Sequence, residues 1–284
     1  MAAELDITPT AGCLGARISG LDASDIDEGV AAQLTKALID HHVIFMPGLA
    51  PTPAQLRRIA SLYGPVDAHP YLPKADPDIP EVDILDSSAT PAADIWHTDM
   101  TFVAEPPLAA LLHMVEGPDY GGDTMWINCH AVYDTLSAPM QAFLEGLTCI
   151  HDDASQGDRK AEHPVIRVHP ETQRKSLYVN KQFSRRIPQL SRPESQNLLA
   201  WLFRWQEQVA FSCRWSWSNG DVVLWDERVT LHSVVHDQRK RRVLHRCSVL
   251  GDRPQAPDSA PSWPRHQRDK MASSGYYGFG GYEF

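Results

Sequence analysis

The sequence predicts a mainly β fold with flanking helices, arranged as a two-sheet jelly roll. Three observations lead there. Helical patterns gather in the N-terminal third, strand patterns dominate the rest, and a tight-turn signal separates two of the strand candidates. Residues 27–40 carry apolar positions at helical spacing, and 42–46 (HVIFM) follow as a strand. Thr52-Pro53-Ala54-Gln55 reads as a capping box with proline at the first helical position, opening a helix to about Leu62. Strands are expected at 82–86 and 108–115, and a helix from Ser137 to about Leu147. Segments 164–169 and 175–180 read as strands. Ser191-Arg192-Pro193-Glu194 is a second capping box, opening a helix to about Val209. Strands at 211–217 and 221–226 flank Ser218-Asn219-Gly220, a hairpin signal, because Asn-Gly tolerates the positive φ of a primed turn. The last strand spans 242–250. Residues 151–163 lack periodicity and read as a mobile loop.

At 284 residues the chain is expected to form one domain over 1–252, followed by an irregular tail over 253–284 rich in Pro, Ser, Gly and aromatics. A hydrophobic content of 43% with 22% charged residues excludes a disordered chain. The formal net charge of −10 disfavours a phosphate backbone as partner, so no nucleic acid is expected. Apolar runs such as Val43-Ile44-Phe45-Met46 are too short to span a bilayer, so no membrane partner is expected. Met1-Ala2-Ala3-Glu4-Leu5-Asp6 has neither a basic nor an apolar leader region, and a cytoplasmic location is the expectation. The cysteines at 13, 129, 149, 213 and 247 are odd in number and widely spaced, which predicts reduced thiols.

Two segments carry candidate chemistry. In Trp96-His97-Thr98-Asp99, strand alternation would send His97 and Asp99 to one face. One neutral nitrogen and one anionic oxygen suit a borderline divalent metal, but a third ligand is needed. Leu224-Trp225-Asp226-Glu227-Arg228-Val229-Thr230-Leu231-His232 reads as a β-rich run ending in a loop that carries His232. Beyond it, alternation puts Arg242, Leu244, Arg246 and Ser248 on one face, so two guanidinium groups point inward and require anions.

Together these residues resemble the TauD/TfdA (taurine/2,4-D dioxygenase) family of Fe(II)- and 2-oxoglutarate-dependent oxygenases, nearest its taurine dioxygenase branch. The resemblance runs from about Ile7 to Asp252, through WHTDMTF at 96–102, GGDT at 121–124, LYVN at 177–180, LWDERVTLH at 224–232, RRVLHR at 241–246 and LGD at 250–252. It implies the cupin-like double-stranded β-helix. It implies that His97, Asp99 and His232 ligate Fe(II), with O2 and 2-oxoglutarate as co-substrates. Thr124 and Arg242 match the residues that hold the distal carboxylate of 2-oxoglutarate, and Arg246 matches the anchor of the primary substrate's anion. His69, Tyr71 and Phe183 fall at or near substrate-contact positions. Ala93 and Asp153 depart from the taurine-enzyme pattern, where asparagine and phenylalanine are expected. A small anionic substrate is therefore expected, and one with a body different from taurine's fits at least as well as taurine. A sulfonate or alkyl sulfate ester would release sulfite or sulfate plus an aldehyde; the alternative is a carboxylate such as an aryloxyalkanoate or amino-acid derivative. Family members commonly form homo-oligomers, and a dimer or tetramer is expected. Two readings from other classes are a zinc hydrolase, which leaves the inward arginines without a task, and a non-catalytic anion-binding jelly roll.

Overall fold

In the computed structural model, the described residues are 4–69, 72–153 and 159–266. The chain begins with an antiparallel pair, β1 (Asp6–Pro9) and β2 (Ala16–Ser19). Helix α1 (Glu28–His41) is opened by the Asp27 carboxylate, which accepts from Val30 N at 2.8 Å, and is closed at His42 with φ of 65°. β3 (Val43–Met46) follows, wholly buried, and then α2 (Pro53–Ser61) behind the expected Thr52/Gln55 capping box. β4 (Val66–Asp67), β5 (Lys74–Asp76), β6 (Ile79–Asp86), β7 (Ala109–Glu116) and β8 (Thr124–Asn128) come next. Two short helices, α3 (Cys129–Asp134) and α4 (Ala138–Glu145), precede β9 (Thr148–Asp152) and β10 (Lys160–Pro164). β11 (Ile166–Val168), β12 (Lys175–Leu177) and β13 (Ser184–Arg186) lead to α5 (Arg192–Gln206). The last strands are β14 (Ser212–Trp215), β15 (Val222–Asp226), β16 (Thr230–Val234) and β17 (Val243–Val249).

The major sheet runs β1-β2-β3-β15-β7-β17-β6-β5, with β4 added to the end of β17. The minor sheet is β14-β8-β16. Alternation along β15 shows how the layers close. Val222 and Leu224 face α1 and α2, among Leu34, Leu38, Leu56 and Ile59. Val223 and Trp225 face the other way, into a core shared with Phe45, Leu112, Trp126 and Leu244. Trp126 and Trp225 pack edge to face at 5.8 Å, as expected of core tryptophans. α3 and α5 cover the far side of the minor sheet, through Ile127, Val132, Leu199, Leu202 and Leu231. The result is the jelly roll the sequence predicts, with helices outside both sheets.

Several local expectations are corrected. Ser218-Asn219-Gly220 does not close a hairpin, because β14 pairs with β8 in the minor sheet while β15 lies between β3 and β7 in the major one. The turn carries the chain between sheets, and Gly220 adopts φ of 89° to do so. His232 lies inside β16 rather than on a loop. Within 151–163 the ends are strand, with His151 opposite Ala161, while residues 154–158 lie outside the described residues. Of the tail, residues 253–266 run without regular structure along the body, where Gln255 bridges Val168 and His266 N donates to Pro188 O. Among the described residues no helix is long and apolar enough to cross a membrane. All five cysteines are free, as expected.

The rim of the fold predicts an acid-sensitive stability. His42 and His130 pack with ring centroids 5.3 Å apart and are both buried. Burial, reinforced by the neighbouring ring, lowers His42 to about 3. Burial lowers His130 to about 4. Both are therefore neutral in the fold and titrate near 6.5 once unfolded. The unfolded chain binds more protons between those limits, so stability falls as pH drops below 6.5 and the loss levels off near 3 for His42 and near 4 for His130. The slope is up to ~1.4 kcal/mol per pH unit for each histidine. Denaturation midpoints between pH 8 and 4 measure it. A His42→Asn/His130→Asn variant with an undiminished slope would remove this cause.

Candidate active site

His97 and His232 form an isolated antiparallel bridge. His97 N donates to His232 O at 3.1 Å, and His232 N donates to His97 O at 2.8 Å. This reciprocal pair sets the two imidazoles side by side, with ring centroids 4.1 Å apart. Asp99 is not on a strand, as the spacing argument assumed, but in the turn that follows, where Met100 takes φ of 52°. The turn still delivers the carboxylate. Asp99 Oδ1 lies 3.4 Å from His97 Nε2 and 3.6 Å from His232 Nε2. The three ligand atoms all lie within 4.8 Å of one another.

The surroundings fix protonation and orientation. His97 Nδ1 lies 2.7 Å from the Ile95 carbonyl, which only accepts, so Nδ1 donates to it and Nε2 is the nitrogen turned toward Asp99. Burial and the adjacent His97 ring push His232 well below the usual histidine range, so it is neutral. Burial opposes charge on Asp99, yet Arg246 and the two imidazoles hold its carboxyl well below the usual range. Thr98 Oγ1 donates to Thr230 O at 2.8 Å, and the next turn is pinned through Thr101. Thr101 Oγ1 receives Asn180 Nδ2 at 3.0 Å and lies 2.8 Å from His151 Nδ1, while His163 Nε2 donates to Thr101 O at 2.8 Å. Two neutral nitrogens and one carboxylate, all pre-aimed, fit a divalent ion of the Fe(II) type.

The β8–β16 register carries the site further. His232 opposes Trp126 and Val234 opposes Thr124, so Thr124 lies on the inner face two residues along from the ligand. Its hydroxyl receives Arg242 Nη2 at 3.1 Å and Trp217 Nε1 at 3.0 Å. Arg242 is buried, and among the described residues its Nε has no partner. Burial lowers its guanidinium to about 10. The nearby Asp123 is already occupied by Arg214 Nε at 2.6 Å and Ser216 Oγ at 2.9 Å. Gly122, at φ of 71°, is needed here, because a Cβ would stand 3.2 Å from Arg242 Cδ. A buried guanidinium beside a hydroxyl, with no carboxylate bonded to it among the described residues, fits the distal carboxylate of a dicarboxylic acid.

Arg246 is buried as expected but already holds two carboxylates. Its Nη2 donates to Asp99 Oδ2 at 2.5 Å, and its Nη1 lies 3.4 Å from Asp83 Oδ2. Arg246, His69 and Met100 border a cavity of about 200 Å³ whose other walls include Val103, Pro107 and Val249. Burial and the Arg246 charge lower the His69 imidazole. Phe183 stands edge-on to His97 at 6.5 Å and to Phe102 at 5.1 Å. Tyr71 lies outside the described residues.

Sequence reasoning missed three participants. Glu227 is fully buried, accepts from Trp225 Nε1 at 2.8 Å and from Asp99 N at 3.1 Å, and lies 3.9 Å from His232 Nδ1. Burial and the Asp99 charge push its carboxyl well above the usual range. Trp217 braces Thr124, with nothing in its local sequence to mark it. Asp83 had a signal, an acid inside an apolar strand pattern, and it is wholly buried.

The chain is 34% identical over 278 residues to an alpha-ketoglutarate-dependent sulfate ester dioxygenase of Pseudomonas putida, covering 89% of this chain and 92% of that protein. It is 33% identical to an alkylsulfatase of Acinetobacter baylyi, over 88% of this chain and 86% of that one. The fold superposes on the crystal structure of a taurine dioxygenase from Burkholderia xenovorans with a TM-score of 0.82 and 31% identity, covering 93% of this chain and 96% of that one. The family described as taurine catabolism dioxygenase TauD, TfdA family, matches residues 6–248, a span that includes His97, Asp99 and His232, and the chain therefore belongs to the TauD/TfdA dioxygenase family.

Proposed function

We propose that this chain oxidises a C–H bond of a small anionic organic substrate, with an alkyl sulfate ester or sulfonate favoured, coupled to conversion of 2-oxoglutarate to succinate and CO2. The observation that carries this reading is the pairing of the His97/Asp99/His232 cluster with a buried Arg242 that lacks a carboxylate partner among the described residues. When bound, Fe(II) on those three ligands supplies the redox chemistry that couples O2 and 2-oxoglutarate to substrate oxidation. The chain supplies the rest. The neutral Nε2 atoms of His97 and His232 and the Asp99 carboxylate hold the ion. Arg242 and Thr124 bind the distal carboxylate of 2-oxoglutarate, with Trp217 fixing the hydroxyl's direction. Arg246 and His69 receive the substrate's anion.

The cavity walls supplied by Met100, Val103, Pro107 and Val249 suit an apolar carbon body, while the exposed Asp67 and Glu105 at its edge repel a second anionic group. Phe183 and Phe102 keep the ligand side dry. Hydroxylation at the carbon bearing a sulfate ester gives a product that collapses to an aldehyde and sulfate. The names of the Pseudomonas putida and Acinetobacter baylyi relatives support that substrate class.

The test is a panel of alkyl sulfates, alkanesulfonates, aryloxyalkanoates and amino-acid derivatives, incubated with the protein, Fe(II), 2-oxoglutarate and O2. Succinate and sulfate are expected in equal amounts from the alkyl sulfates. Absence of succinate across the panel would sink the reading, as would sulfate release without oxygen uptake.

A further inference from the structure

The hairpin β5–β6 at the edge of the major sheet brings Lys74 opposite Asp83. In turn β6 pairs with β17 so that Asp83 opposes Arg246. A line of alternating charge results: Lys74, Asp83, Arg246, Asp99. Lys74 Nζ donates to Asp83 Oδ1 at 2.5 Å and to the His69 carbonyl at 2.6 Å. The other Asp83 oxygen lies 3.4 Å from Arg246 Nη1. The Asp83 side chain is fully buried, and that of Lys74 is 25% exposed.

A buried carboxylate this close to a guanidinium would normally take both of its nitrogens in a bidentate pair. Here Lys74 occupies one Asp83 oxygen and Asp99 occupies Arg246 Nη2, so Asp83 holds only Nη1 of Arg246. With the Asp99 carboxylate assigned to the proposed metal ion, the sum over Lys74, Asp83 and Arg246 is one positive charge, which matches one substrate anion. Without Lys74 the sum is zero, and Asp83 is free to satisfy Arg246 from within.

We propose that Lys74 and Asp83 are positioning residues that set the anion affinity of Arg246. Asp83 orients the guanidinium. Lys74 prevents Asp83 from saturating it and, through the His69 carbonyl, ties His69 to the same frame. The proposal rests on the reading of Arg246 as the substrate's anchor.

The test compares wild type, Lys74→Met, Lys74→Arg and the double variant Lys74→Met/Asp83→Asn. Pentyl sulfate is the substrate, and pentanesulfonate is the calorimetric probe. Lys74→Met is expected to raise the KM for pentyl sulfate and the Kd for pentanesulfonate ~10- to 30-fold, the size of one lost favourable charge at a partly buried site. The loss falls on KM rather than kcat, and the KM for 2-oxoglutarate stays within about twofold. Lys74→Arg is expected to recover most of the loss. The double variant restores the single positive charge and is expected to return to within about fivefold of wild type, a non-additivity that a merely structural role does not produce. A double variant no better than Lys74→Met, or an unchanged KM in Lys74→Met, overturns the proposal. Should wild type fail to turn over pentyl sulfate, the proposed substrate class falls, while the order of pentanesulfonate Kd values across the four proteins still decides the role of Lys74. Wild type that neither binds nor oxidises either probe overturns both.

Discussion

Asp99→Ala is expected to lower kcat by at least about 10³-fold, because it removes the one anionic ligand and leaves two neutral imidazoles to hold a divalent ion. The effect is not confined to the metal. Arg246 Nη2 donates to Asp99 Oδ2 at 2.5 Å, so the same substitution frees one edge of a buried guanidinium. Divalent-ion affinity, measured by calorimetry with Mn2+ as well as Fe(II), should therefore collapse. Affinity for an alkanesulfonate should hold or rise, since one competing carboxylate has gone. The Asp99 backbone N–H keeps its bond to Glu227, so the turn itself is expected to survive. An Asp99→Ala protein that retains a tenth of wild-type turnover would show that the cluster is not the metal site.

Arg242→Gln is expected to raise the KM for 2-oxoglutarate ~100-fold, the cost of removing one partner of a desolvated charge pair. The same change has an opposite consequence for the unliganded protein. Arg242 is buried, has no carboxylate hydrogen-bonded to it among the described residues, and is lowered to about 10 by burial. Such a group is kept for binding at a cost in stability. Thermal unfolding without ligand should thus be unchanged or slightly higher in Arg242→Gln. Added 2-oxoglutarate should raise the Tm of wild type and leave the variant unmoved. A variant that melts well below wild type, with an unchanged KM, would make Arg242 a structural residue.

The parts of this site that were legible in the sequence are those in which neighbouring residues act together. His97 and Asp99 are two apart, and the Arg242/Arg246 face follows from strand alternation, so local pattern sufficed. Even there the premise was partly wrong: Asp99 reaches the site from a turn with Met100 at positive φ, not from a strand. His232 read as a loop residue because Asp226-Glu227-Arg228 interrupts the apolar run, yet pairing with β8 makes it a strand. Asn219-Gly220 was a sound turn signal, but a turn does not specify which sheet each flanking strand joins. Lys74, Asp83 and Arg246 meet only through the β5–β6–β17 register, and no local periodicity encodes that. Glu227 stood inside a quoted motif and still drew no role. Its contacts to Asp99 N and toward His232 exist only after the two halves of the chain have closed.

That closure governs when the protein can become active. The backbone pair between His97 and His232 joins the first half of the chain to a strand near its end. A nascent polypeptide that has not yet exported β16 from the ribosome owns only His97 and Asp99 of the proposed metal site. Ligand assembly is then among the last long-range contacts to form, and fragments from interrupted synthesis stay inert toward oxygen.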